Sequence, residues 1–164
     1  SGAGKTTLGQ KLHDRLKPEN RSLVYLDGDT FRKIFRDDVS HTIEGRRKNA
    51  ERISHFCQFL DEQKIHAIAA VLSIFPEWQK WNRENYARYF EVYIEVSMNH
   101  LKYRDPKGLY RAAALGQLKD VVGVDIDFAP PARPDVVVRN EGTLQEFLTH
   151  AEHIVGLLPE LTAT

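Results

Sequence analysis

The chain carries a single cysteine, Cys57, no excess of either charge and no long apolar run. Each shortage excludes something. One cysteine rules out an internal disulfide and argues against a cysteine-rich metal centre, and its place in a stretch that reads as a buried helix favours a packed thiol over a reactive one. Lys+Arg and Asp+Glu balance at 23 each, so no global field recruits nucleic acid or an anionic membrane. Any anion must then be held by local clusters, which favours a small-molecule site. The longest apolar run, Ile68-Ala69-Ala70-Val71-Leu72, is far too short to span a bilayer and no secretory signal is visible, so a cytoplasmic location is expected. Repeats and low-complexity linkers are missing too, and 164 residues suffice for one domain with a sizeable core.

What is there is an alternation of short apolar runs with longer helical patterns, the signature of a parallel sheet covered by helices. Leu23-Val24-Tyr25-Leu26 reads as a strand ending at Asp27. Ile43 to about Gln63 reads as a long amphipathic helix with Ile53, Phe56, Cys57 and Leu60 on one face. Ile65 to Leu72 reads as a buried strand, Pro76 to Tyr86 as a helix opened by its proline, and Phe90 to Val96 as a further strand. Asp135 to Val138 is the last strand, and Thr143 to Leu158 the closing helix, with Thr143 as its cap.

The chemistry concentrates at the start. Ser1-Gly2-Ala3-Gly4-Lys5-Thr6 matches the back of the phosphate-binding pattern Gly-x-x-x-x-Gly-Lys-Ser/Thr. In that loop backbone N–H groups cradle phosphates, the lysine bridges phosphate oxygens and the hydroxyl holds Mg²⁺. A glycine-rich tail before an ordinary helix would look similar, but Leu8, Leu12 and Leu16 follow at helical spacing, so a helix begins where the phosphates would sit. The leading glycine of the pattern would fall two positions before Ser1. The expectation is one P-loop domain over residues 1–164, N-terminally incomplete, of α/β class. It would have three α/β/α layers and a mainly parallel sheet whose first strand lies outside the sequence.

In such a sheet, functional groups gather where strands deliver their C-terminal ends. Asp27-Gly28-Asp29 follows the Leu23 strand, which places two carboxylates beside the loop, one able to orient Mg²⁺ and one to accept a proton from an attacking hydroxyl. Taken alone, the same residues also suit a plain acidic turn. Positive charge recurs at Arg32, at Arg46 with Asn49, and through Arg104-Asp105-Pro106-Lys107-Gly108-Leu109-Tyr110-Arg111, where planar guanidinium forks suit phosphate-like anions. Arg36, Arg47 and Arg88 fit solvated surface as well.

These residues resemble the adenylylsulfate (APS) kinases, which phosphorylate the 3′-hydroxyl of adenosine 5′-phosphosulfate with Mg·ATP. The resemblance runs from Ser1 to about Asp127. It is anchored by the loop through Leu8, Leu26-Asp27-Gly28-Asp29 with Arg32, Arg46 with Asn49, Asp105-Pro106-Lys107-Gly108-Leu109-Tyr110 and Gly123-Val124-Asp125. It implies a kinase of sulfate assimilation with ATP on Ser1, Gly2, Ala3, Gly4, Lys5, Thr6, Thr7 and Arg104, and Mg²⁺ on Thr6 and Asp29. Catalysis would fall to Lys5 with Asp29 or Asp27. The acceptor would meet Arg32, His41, Arg46, Asn49, Ser73, Phe75, Lys107, Gly108 and Leu109, with Arg104 to Leu109 forming part of a mobile lid. The family also allows a homodimer and an upstream fused sulfurylase.

Two departures bear on the acceptor. The family sandwiches the acceptor adenine between two phenylalanines, and the aligned residues here are His41 and Val121 or Val122. Stacking on a ring is worth about 1–3 kcal/mol per base, so losing both weakens the case for adenine. Leu72-Ser73-Ile74-Phe75 is followed by a block carrying Trp78 and Trp81, three apart on one helical face, which suits either core packing or a rebuilt acceptor pocket. The pattern looks like a subgroup that phosphorylates cytidine diphosphoramidate in capsule biosynthesis, and this is the alternative acceptor. A GTP switch is disfavoured, since Arg139-Asn140-Glu141-Gly142 lacks a guanine-reading motif. A non-catalytic nucleotide-binding regulatory module is disfavoured by the retained Lys5, Asp27 and Asp29.

Overall fold

The computed structural model describes residues 1–36 and 38–161. Helix α1 (Lys5–Leu16) begins directly at the glycine loop, and strand β1 (Leu23–Asp27) returns beneath it. A short helix α2 (Gly28–Ile34) then starts at the acidic turn, followed by the long α3 (Ile43–Glu62), β2 (His66–Ala70), α4 (Pro76–Asn85) and β3 (Val92–Glu95). Helices α5 (Met98–Arg104) and α6 (Leu109–Ala114), strand β4 (Val136–Arg139) and helix α7 (Leu144–Gly156) complete the order, with one 3₁₀ turn at Pro159–Leu161. Among the described residues no helix is long and apolar enough to cross a membrane.

Every strand pairing is parallel, as the alternating pattern requires. Strand β1 pairs with β2, Leu23 opposite His66 and Asp27 opposite Ala70. Strand β3 pairs with β4, Val92 opposite Val136 and Glu95 opposite Arg139. Among the described residues the strands form two parallel pairs. Helices α1 and α7 pack together across both pairs: Leu8, Leu12 and Leu16 meet Phe147, Ala151 and Ile154, with Leu23 and Val138 closing the core from the strands. Helix α7 begins with a capping box in which the Thr143 hydroxyl accepts from the Glu146 N–H and the Glu146 carboxylate accepts from the Thr143 N–H.

Close approach of α1 to the strands depends on one residue. A Cβ at Gly9 would lie 3.0 Å from Cε2 of Tyr25 and 3.1 Å from Cβ of Ala70, so a branched side chain there must push helix and strands apart. Gly9→Val is expected to cost about 1–3 kcal/mol of unfolding free energy, read as a lower denaturation midpoint at unchanged m-value. A wild-type midpoint would mean that the helix does not sit this close.

Several elements differ from the sequence reading. Within Ile65 to Leu72 the strand is His66–Ala70, and it is not buried: Ile68 and Ala70 turn towards α1 while His66, Ala67 and Ala69 are exposed. On α3, Ile53 and Leu60 are buried and Cys57 half-buried, whereas Phe56 is exposed, stacked on the exposed Phe59 and tilted against the buried Phe31. Burial raises the Cys57 thiol to about 11, which leaves it protonated and inert at neutral pH. The two tryptophans are half-buried and divide their work. Trp78 packs on Ile74, Phe75 and Val122, and Trp81 meets the His55 ring edge-on at 4.8 Å and Tyr86 at 6.1 Å.

Candidate active site

The loop that opens the chain has the backbone its glycines permit. Gly2 has φ +78° and Gly4 φ +100°, the left-handed region that a Cβ disfavours. Gly4 is also the N-cap of α1, no side chain caps that helix, and its first turn holds no acidic residue. The free N–H groups and the positive end of the helix therefore face the loop's concavity, where phosphate would bind. The Asn140 side chain and the Phe147 ring sit so close that a Cβ on Gly4 would meet them at 2.8–2.9 Å.

Around the loop the charged groups face one another. Lys5 is half-buried, and burial with the neighbouring Lys107 and Arg46 pulls its ammonium below the usual lysine value, while Asp29 and Asp27 pull it back up. Thr6 donates from Oγ1 to Asp27 Oδ2 at 2.9 Å. The other Asp27 oxygen caps α2, accepting from the N–H groups of Asp29 at 3.0 Å and Thr30 at 3.3 Å. Both of its oxygens are thus engaged. Asp29, one residue into α2, accepts from Lys107 Nζ at 2.8 Å across 78 residues of chain. That bond is the main reason its carboxyl sits below the usual range, with His41 and Arg32 adding to it, so Asp29 is ionised at neutral pH.

A second cationic group lies behind the first. Arg32 is 7% exposed and reaches the carbonyls of Val39 and Ser40, fixing the turn before α3. Arg46 donates from Nη2 to the Asp120 carbonyl at 3.1 Å. Burial first and then Arg32 push its guanidinium below the usual arginine value. Arg46 Nε and Asn49 Oδ1 are buried without a hydrogen-bond partner. Orphaned buried polar atoms cost free energy unless something satisfies them. A polar ligand is the economical explanation.

The remaining residues expected at the site are spread around it. Thr7 is exposed on α1, His41 is exposed before α3, and Ser73 is exposed with its carbonyl accepting from the buried Gln79 side chain. Phe75 is buried, with the Arg47 guanidinium 4.6 Å above its ring. Gly108 caps α6 at φ +66° and Leu109 opens that helix. Arg104, at the end of α5, hydrogen-bonds Asn140 and the Gly142 carbonyl. Val121 and Val122 are buried, Val121 against Leu101 and Tyr110, Val122 against Ile74 and Phe75, so no aromatic face is offered at either position.

Sequence reasoning passed over Asp105, Tyr110 and Asn140 as individual actors. Asp105 caps α6 with both oxygens, on the N–H groups of Tyr110 and Arg111. The Tyr110 hydroxyl donates to the Ser1 carbonyl at 2.9 Å and ties this segment to the loop. The available signal for Asn140 was its place just after the last strand, where sites gather.

A glycine loop opening a helix, an acidic turn at the end of the adjacent parallel strand and a cationic wall opposite define a P-loop nucleotide-binding protein. A family model described as adenylylsulphate kinase matches residues 1–139. Among relatives, a cytidine diphosphoramidate kinase of Campylobacter jejuni is 40% identical over 140 residues, 85% of this chain and 81% of its own. An adenylyl-sulfate kinase of Paraburkholderia xenovorans is 34% identical over 142 residues, covering 86% of this chain and 79% of that protein. Among solved structures, the APS kinase of Mycobacterium tuberculosis in complex with AMPPNP and APS superposes with a TM-score of 0.86 at 26% identity, covering 97% of this chain and 92% of that one. The chain belongs to the adenylylsulphate kinase family, and with it to the phosphotransferases that use an alcohol group as acceptor.

Proposed function

We propose that this kinase transfers the γ-phosphoryl group of ATP to the ribose 3′-hydroxyl of a small anionic nucleotide, and that the acceptor is cytidine diphosphoramidate. The observation that carries the reaction is the opposition of the Gly4–Lys5 helix start to the ionised Asp29, with the unpartnered Arg46 Nε and Asn49 Oδ1 behind it. The free N–H groups of the loop and Lys5 would hold the ATP phosphates. A hydroxyl and a carboxylate already in hydrogen-bond contact are hard oxygen donors, so Thr6 and Asp27, in place of the Thr6 and Asp29 that the resemblance implies, suit the Mg²⁺ that accompanies ATP, Asp29 being paired with Lys107. When bound, that ion supplies charge neutralisation at the phosphate oxygens.

Asp29 would accept the proton of the attacking hydroxyl, since its carboxylate is ionised and Asp27 is committed to Thr6 and to the α2 cap. Arg32, Arg46 and Asn49 would grip the acceptor's anionic tail, and Lys107 would leave Asp29 for an incoming phosphate oxygen as the 104–109 segment closes. Closure would exclude water and so protect ATP from hydrolysis. The enzyme would work in the cytoplasm, where ATP is supplied.

The acceptor base rests on a different observation. Position 41 is a histidine and positions 121 and 122 are valines packed into the core, which suits a pyrimidine held by its ribose and tail better than a purine held between rings. The 40% identity to the Campylobacter cytidine diphosphoramidate kinase supports the same reading. Adenylylsulfate is the second reading, supported by the adenylyl-sulfate kinase relatives. A side-by-side assay with Mg·ATP and each acceptor at low concentration is expected to give about tenfold or more higher kcat/KM for the cytidylyl compound. A ratio reversed in favour of the adenylyl compound would return the enzyme to sulfate activation.

A further inference from the structure

Asn140 is 6% exposed and stands immediately after β4, beside the phosphate loop. Its Nδ2 donates to the Ala3 carbonyl at 3.0 Å, in the middle of that loop. Its Oδ1 accepts from Arg104 Nη1 at 3.1 Å, and its backbone carbonyl accepts from the same nitrogen at 3.0 Å. Its own N–H donates to the Glu95 carbonyl at the end of β3. One buried residue therefore joins four segments: its side-chain amide links the phosphate loop to the last residue of α5, and its backbone, which continues β4, bonds the end of β3. From there the chain runs directly through Asp105 and Pro106 to Lys107, the partner of Asp29.

We infer that Asn140 is the positioning residue of the phosphate loop, and that Arg104 supports the loop through Asn140. This inference rests on the reading of residues 1–6 as the ATP-phosphate site, but not on which acceptor is used. The chemistry of the side chain fits the task. The loop needs a donor at Ala3 O and Arg104 needs an acceptor, and a carboxamide offers both from one planar group. With Ala3 O held, the peptide units after it are turned so that their N–H groups face the concavity, and the loop does not have to order itself when phosphate arrives. Pre-organisation of this kind raises affinity by removing an ordering cost. A Cβ on Gly4 would also lie 2.9 Å from Asn140 Nδ2, so only glycine fits beside it at that position.

Aspartate separates the two halves of this role, because it keeps the acceptor for Arg104 and loses the donor to Ala3, setting a carboxylate oxygen against a carbonyl. In calorimetric titrations with Mg·AMPPNP, Asn140→Asp is expected to bind at least tenfold more weakly than wild type, with a lowered thermal midpoint from the buried carboxylate–carbonyl contact. In steady-state assays the KM for ATP rises while the KM for the acceptor at saturating ATP stays within twofold. Asn140→Ser, which keeps a small donor, falls between the two and serves if the aspartate variant does not fold. Arg104→Ala weakens binding in the wild-type background, and in the Asn140→Asp background its further effect is much smaller than in wild type. Wild-type AMPPNP affinity in both Asn140 variants, or full additivity of the Arg104 and Asn140 effects, would overturn the inference. Failure of the wild-type protein itself to bind Mg·AMPPNP would instead overturn the phosphate-site reading on which it rests.

Discussion

Lys5→Ala lowers kcat by about a thousandfold, in line with the loss of a charge-stabilising donor at a transferring group, and it does so without destabilising the protein. The two halves of this expectation have one cause. In the ligand-free protein the Lys5 ammonium is desolvated and faces Lys107 and Arg46, so its charged form is disfavoured, with Asp27 and Asp29 offsetting only part of that. Its removal relieves repulsion. With ATP bound, the same charge would meet phosphate oxygens and become favourable at the point where negative charge is transferred. Opposite signs for stability and activity are the mark of a residue placed for function. Thermal unfolding of the apo protein, read together with kcat, checks both halves: an unchanged or raised midpoint with a lost kcat is expected. A kcat within about tenfold of wild type would remove Lys5 from the phosphate site.

Asp29→Asn lowers kcat by about 10²–10⁴-fold, the range for a general base, and leaves AMPPNP binding nearly unchanged. The side chain is 59% exposed and makes one strong contact, to Lys107. An asparagine can still accept from that ammonium, so the fold and the 104–109 segment are not expected to move. What the amide lacks is the capacity to take a proton from a hydroxyl. Asp27 behaves differently in this account: its amide variant keeps the α2 cap through Oδ1 and can turn the Thr6 bond round, with Nδ2 donating to the hydroxyl, but it loses the negative charge beside Thr6. Measuring kcat and nucleotide affinity for both variants separates the roles. An equal loss of ATP affinity in Asp29→Asn would make that residue a holder of the ATP metal instead of the proton acceptor.

Much of this architecture is readable in the chain because local signals agree with tertiary use. Leu8, Leu12 and Leu16 mark the core face of α1, Pro76 opens α4, and Thr143 with Glu146 forms the cap at α7 that their spacing implies. Helix α2 is obscured because Gly28 and two aspartates read as a turn, and what makes the segment helical is Asp27 capping the N–H groups of Asp29 and Thr30. The exposure of β2 is not legible either, since an apolar run of that length does not say whether one face or both are covered. Phe75 lies beneath Arg47, a pairing set by α3 and α4 meeting across a long stretch of chain. The pairing of Lys107 with Asp29, 78 residues apart, and the reach of Asn140 to Ala3, 137 residues apart, are products of topology. No local pattern encodes them.

The central claim is that this site moves a phosphoryl group from ATP onto a nucleotide hydroxyl. Its most direct test follows γ-labelled ATP in the presence of cytidine diphosphoramidate or adenylylsulfate. The account predicts label in the nucleotide product as a 3′-phosphate, one equivalent for each ADP formed, and none on an acceptor lacking the 3′-hydroxyl. Label appearing only as inorganic phosphate, or transfer that persists on the 3′-deoxy acceptor, would contradict it.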